Sequence, residues 1–62
     1  MRLKQLRRAR AMSQEDLEKK SGVARATISA LETGKREAQP RTIRRLAEAL
    51  GVEPHELMKR EE

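Results

Sequence analysis

Residues 21–34 read SGVARATISALETG, and the fold turns on them. Gly22 and Gly34 bracket the run, each suited to the left-handed conformation that ends a helix and turns the chain. Between them Ile28 and Leu31 stand three apart and, with Val23 ahead of them, form a narrow apolar stripe. Arg25, Ala26, Ser29 and Ala30 fall on the other faces. A helix made only for burial carries larger apolar side chains. This one is slim on the outside, which suits close approach by something else.

Upstream, Ser13 followed by Asp16 has the spacing of a capping box with a shorter acid, and Met12 to Leu17 has that of a hydrophobic staple. A helix therefore starts at Gln14 and is stopped by Gly22. Before it, Leu3, Leu6 and Ala9 recur at three-residue spacing and predict a first helix over about residues 2–10. Downstream, Lys35 to Gln39 carries no periodic apolar residue and reads as a loop. Pro40 opens a fourth helix, in which Ile43, Leu46, Ala47 and Leu50 give a stripe at i, i+3, i+4 and i+7 before Gly51 stops it. Pro54 opens a fifth, short helix with Leu57 and Met58. No hairpin signal and no internal repeat occurs. Five short helices on short connections predict a compact all-α bundle, and 62 residues predict one domain over residues 1–62.

Composition narrows the function. With Phe, Tyr and Trp absent, the core must come from Leu, Ile, Val, Met and Ala, which favours tightly meshed helices over a cavity enclosing a cofactor. The chain has no cysteine, so it has no disulfide, thiolate zinc site or thiol nucleophile. Its one histidine, His55, has no partner at metal-ligand spacing and reads as a surface residue. No acidic pair sits in an apolar setting that tunes a pKa for catalysis, so an enzyme, a metal site and a cofactor are all unexpected. Neither a signal peptide nor a bilayer-spanning run is present, and a cytoplasmic location with no membrane partner is expected.

The net charge of +5 is unevenly spread. Residues 1–21 carry seven basic and three acidic groups, residues 22–45 six and two, and residues 46–62 two and five. Such a polarised chain attracts a polyanion along its first two thirds and repels it from the last.

Two short helices joined at Gly22 have the general form of a helix-turn-helix, whose second helix enters the DNA major groove. The match runs further. Leu6-Arg7, Ser13-Gln14 with Leu17, Gly22-Val23, Thr27-Ile28-Ser29, Leu31-Glu32, Gly34-Lys35, Leu46-Ala47 and Ala49-Leu50-Gly51-Val52 resemble the phage repressor and Cro-like helix-turn-helix family, of the xenobiotic-response-element type, over residues 3–58. The resemblance implies a five-helix, lambda-repressor-like domain whose recognition helix runs over about residues 25–33. It also implies that Arg25, Ala26 and Ala30 face base edges. Gln14, Ala24, Lys35, Arg36 and Arg41 then meet the DNA backbone, and Arg7 and Glu32 form an internal ion pair bracing the first helix against the third.

The residues suit these roles chemically. Gln14 stands at a helix N-terminus, where free N–H groups and a partial positive charge favour a phosphate. Of the three base-facing candidates only Arg25 can make a bidentate contact, and guanine O6 and N7 are its natural target. Ala26 and Ala30 offer methyl groups to thymine methyls, or simply allow approach. Three positions depart from the family pattern. Glu18 replaces a small residue between the two helices, and is expected either to pair with a neighbouring Arg or Lys or to alter their crossing. Ala24 lacks a capping hydroxyl, a loss of about 1 kcal/mol, and Ala11 fills a turn position often held by glycine.

The expected function is a sequence-specific, double-stranded DNA-binding transcriptional regulator, a repressor acting by occupancy. One unit reads few base pairs, so a homodimer on a pseudo-palindrome is expected, with Met58 in the acidic last third as the candidate dimer contact. The alternative is an antitoxin-like or anti-repressor module whose chief partner is a protein and which binds DNA to regulate its own expression.

Overall fold

The computed structural model describes residues 1–59, which form five helices: α1 (Leu3–Ala9), α2 (Gln14–Ser21), α3 (Arg25–Glu32), α4 (Pro40–Leu50) and α5 (Pro54–Met58). No strand occurs among the described residues. The start of α2 is set by local chemistry. Ser13 Oγ accepts the Asp16 N–H at 3.0 Å, and the Ser13 N–H donates to Asp16 Oδ2 at 3.0 Å, so each residue satisfies a donor that the other leaves open. Pro40 and Pro54 each occupy the first turn of their helix, where a missing N–H costs nothing.

Three helices end on the same device. Behind α3 the Lys35 N–H donates to the Ala30 carbonyl at 2.9 Å and the Gly34 N–H to Leu31 at 3.3 Å. This nested pair is a Schellman closure, with Gly34 at φ +76°. Gly51 closes α4 identically, through Val52 to Ala47 and Gly51 to Glu48. Behind α1 the pattern recurs through Met12 to Arg7 and Ala11 to Arg8, but there the left-handed residue is Ala11, at φ +54°. A Cβ in that conformation costs roughly 1–2 kcal/mol.

Leu3, Leu17, Ile28, Leu46, Leu50 and Leu57 are fully buried, with Val23, Leu31, Ala47 and Ala49 beside them, so every helix contributes to one core. The α2 helix packs on α3 and α4, α4 on α5, and α1 on α3. The first and last described elements are tied together by the Arg2 N–H, which donates to the Leu57 carbonyl at 2.9 Å. Truncating a residue such as Leu17 or Ile28 to Ala costs about 2–5 kcal/mol in a core of this kind.

The stripe expected on α1 differs in one place. Leu3 is buried and Leu6 half-buried, but Ala9 is exposed. The reason is helical geometry: at about 100° per residue Ala9 lies about 120° round from Leu3, whereas Arg7 lies only about 40° from it and takes the inward place, half-buried in an ion pair.

Candidate nucleic-acid interface

The α3 helix is fixed from both of its ends. At its C-terminal end the Arg7 guanidinium from α1 makes a two-pronged contact with Glu32, Nε to Oε2 at 2.7 Å and Nη2 to Oε1 at 3.1 Å. The third nitrogen, Nη1, donates to the Met12 carbonyl at 2.7 Å. Side-chain exposure is 11% for Arg7 and 4% for Glu32, so the two charged groups are largely shielded from water and hold each other through direct hydrogen bonds. Gln14 Nε2 from α2 adds a 3.0 Å bond to Glu32 Oε1. Burial pushes the Glu32 carboxyl up. The hydrogen bonds from Arg7 and Gln14, with the charges of Arg7 and Lys4, outweigh it and hold the group below the usual carboxylate range.

The turn between α2 and α3 is closed by its own side chain. Ser21 Oγ donates to the Leu17 carbonyl at 2.6 Å and accepts the Val23 N–H at 3.1 Å, while the Gly22 N–H, at φ +76°, reaches Glu18 O at 2.9 Å. The pairing with an Arg or Lys side chain expected of Glu18 is not found. Glu18 Oε2 accepts the backbone N–H of Arg25 at 2.9 Å, and among the described residues no Arg or Lys side chain lies within ion-pair distance of it. An acceptor on α2 thus serves the helix end that Ala24 leaves uncapped.

With both ends held and Ile28 and Leu31 buried, the opposite face of α3 is free. Arg25 and Ala26 in its first turn are exposed, and Ala24 is exposed just before it. Ala30 is half-buried, so it offers less surface than Ala26. Lys35 and Arg36 are exposed in the connection to α4, and Arg41 is exposed in the first turn of α4. A groove between the starts of α3 and α4 brings together Ala24, Thr27, Arg36, Arg41 and Arg45, with one acid, Glu37. Among the described residues no carboxylate stands within ion-pair distance of Arg25, Lys35, Arg36 or Arg41. Arg45 is not among the site residues expected from sequence, and Thr27 enters there only as part of the motif; the i, i+4 spacing of Arg41 and Arg45 is the signal that points to Arg45.

Gln14 sits at the first position of α2 with its amide turned to Glu32, which leaves its main-chain N–H at the helix end and the second amide proton for another acceptor. Met58 is 50% exposed, in a shallow and mostly apolar depression with Pro40, Ile43, Arg44, Pro54 and His55, and it also borders a second depression with Arg36 and Glu37.

Residues 3–57 match the helix-turn-helix family, nearly the whole of the described chain. The chain belongs to the Cro/C1-type helix-turn-helix family of DNA-binding transcriptional regulators. It is 42% identical over 53 residues to an uncharacterized HTH-type transcriptional regulator, y4dJ, of Sinorhizobium fredii, covering 86% of this chain and 69% of that protein. It is 46% identical over 57 residues to another, RghRB, of Bacillus subtilis, covering 90% of this chain and 41% of that protein. The chain thus spans about two thirds of one relative and less than half of the other. No solved structure is a significant match. The family is one of non-enzymatic DNA-binding proteins, and this chain is not an enzyme. No helix among the described residues is long and apolar enough to cross a membrane.

Proposed function

We propose that residues 1–62 form one DNA-binding unit that represses transcription by occupying a specific double-stranded site in the cytoplasm, with α3 in the major groove. The carrying observation is the asymmetry of α3: its inner face is locked by Ile28, Leu31 and Glu32, while its outer face presents Arg25 and Ala26 to solvent. Arg25 reads a guanine through O6 and N7, and Ala26 and Ala30 keep the helix slim against the neighbouring bases. Gln14, at the start of α2, together with Ala24, Lys35, Arg36 and Arg41, meets the sugar-phosphate backbone. Counterion release from these contacts supplies much of the affinity and makes it salt-dependent.

Base discrimination by one arginine and small residues is modest, so two copies of the chain bind a pseudo-palindrome with half-sites about one helical turn apart. The depression around Met58, Ile43 and Pro54 supports this pairing, because it is mostly apolar and exposed, with Arg44 at its rim. Selection of bound sequences from a random duplex library is the test. A recurrent, two-fold symmetric motif containing a G·C pair in each half-site is the expected result, and an unstructured pool at moderate salt overturns specific recognition.

A further inference from the structure

Ala24 stands at the N-cap of α3 with no side-chain oxygen, yet the first N–H of the helix is satisfied from another element. Glu18 Oε2 reaches across the turn and accepts the Arg25 N–H at 2.9 Å. Among the described residues two side-chain hydrogen bonds join α2 to α3: Gln14 to Glu32 at the far end, and Glu18 to Arg25 at the near one. The near bond holds the main chain of the very residue whose side chain is exposed and without a carboxylate partner among the described residues. Glu18 is half-buried, and this bond holds its carboxylate at the start of α3.

A main-chain tether at the first helical residue fixes the height and direction in which that residue's side chain leaves the helix. A long side chain magnifies any rotation at its base, and bidentate contact with guanine tolerates little. The carboxylate also occupies the end of α3 where the free N–H groups and helix dipole otherwise draw a phosphate.

We propose that Glu18 is a specificity-determining positioning residue, whose bond to the Arg25 N–H aims the Arg25 side chain at its base pair. This rests on the reading of α3 as the recognition helix. The test compares binding to the duplex enriched from a random library by the wild-type chain with binding to a scrambled duplex of equal length and composition, at one salt concentration, alongside thermal melts. Glu18→Ala is expected to cut the ratio of the two affinities roughly tenfold, the scale of one lost base contact. Glu18→Gln, which keeps an acceptor oxygen, restores the ratio to within about twofold of wild type, since the amide carbonyl still accepts the bond. The double variant Glu18→Ala/Ala24→Ser regains melting temperature through an ordinary serine cap but not the ratio, because that cap does not reach α2.

The inference is overturned by a Glu18→Ala chain that keeps its preference, by Gln performing no better than Ala, or by the double variant regaining preference together with stability. Should Glu18→Ala alone not fold, the stabilised double variant carries the same comparison. A wild-type chain that prefers no duplex defeats the proposed function and this inference together. A wild-type preference that Glu18 variants leave intact defeats this inference alone.

Discussion

Two carboxylates hold α3 at opposite ends, and they do so by different physics. Glu32 is 4% exposed, bonded twice by Arg7 and once by Gln14, and fixed to α1 and α2 together. Glu18 is half-buried, makes one hydrogen bond to one main-chain N–H, and reaches α3 from α2 alone. A buried charge pair is costly to break because the surviving partner is left in a poor medium, whereas a partly solvated acceptor that departs is replaced by water. The C-terminal anchor therefore sets whether the chain folds, and the N-terminal anchor sets where a folded helix points.

Breaking the heavier anchor gives the largest effect. Glu32→Ala strands the Arg7 guanidinium at 11% exposure and is expected to cost about 3–5 kcal/mol, enough to unfold most of a chain this small, as read by helical circular dichroism in a urea titration. Acid weakens the same anchor more gently, because a protonated Glu32 still accepts hydrogen bonds. Its folded-state pKa is lowered, so the stability it contributes is complete above the ordinary glutamate value of about 4.3 and is lost as pH falls through the depressed one. Asp16 is lowered too, first by the backbone N–H of Ser13 and then by its hydroxyl, and adds to the loss in the same direction. Melting temperature is thus expected to be flat from about pH 5 to neutrality and to drop below it.

The lighter anchor yields a smaller change in stability. Glu18→Ala removes a cap interaction and is expected to cost about 1 kcal/mol by chemical denaturation, several times less than Glu32→Ala. Ala11 provides a control that touches neither anchor. It holds the same left-handed Schellman position as Gly34, with a Cβ where Gly34 has none, so Ala11→Gly is expected to raise stability by about 0.5–1 kcal/mol. Its DNA preference should stay as it was.

Helix boundaries were legible because glycine and proline mark them: Gly22, Gly34 and Gly51 end helices in left-handed conformations, and Pro40 and Pro54 begin them. The apolar spacing of Ile43, Leu46, Ala47 and Leu50 revealed the inward face of α4, and missed only buried Ala49. A strict three-residue spacing is read less well, since it drifts around a helix of about 3.6 residues per turn, as the exposure of Ala9 shows. The site was partly legible. Residue type and the resemblance directed attention to Arg25 and to the Arg7 and Glu32 pair. The Gln14 bond to Glu32, across 18 residues, and the Glu18 bond to a main-chain N–H were not. A side chain that satisfies backbone leaves no complementary residue in the sequence to announce it. Ala24 and Glu18 look like two separate defects until the fold brings them together.

The central claim is that the first turn of α3 reads a base pair, and an affinity titration of wild type and Arg25→Ala tests it most directly. Each protein is measured against the library-enriched duplex, the duplexes with single base-pair changes, and a scrambled duplex. Arg25→Ala is expected to lose about 1–3 kcal/mol on the enriched duplex, to become indifferent to the base pair at one position in each half-site, and to bind the scrambled duplex almost as before. Equal weakening on every duplex, with discrimination unchanged at all positions, would make Arg25 a phosphate contact and contradict the account.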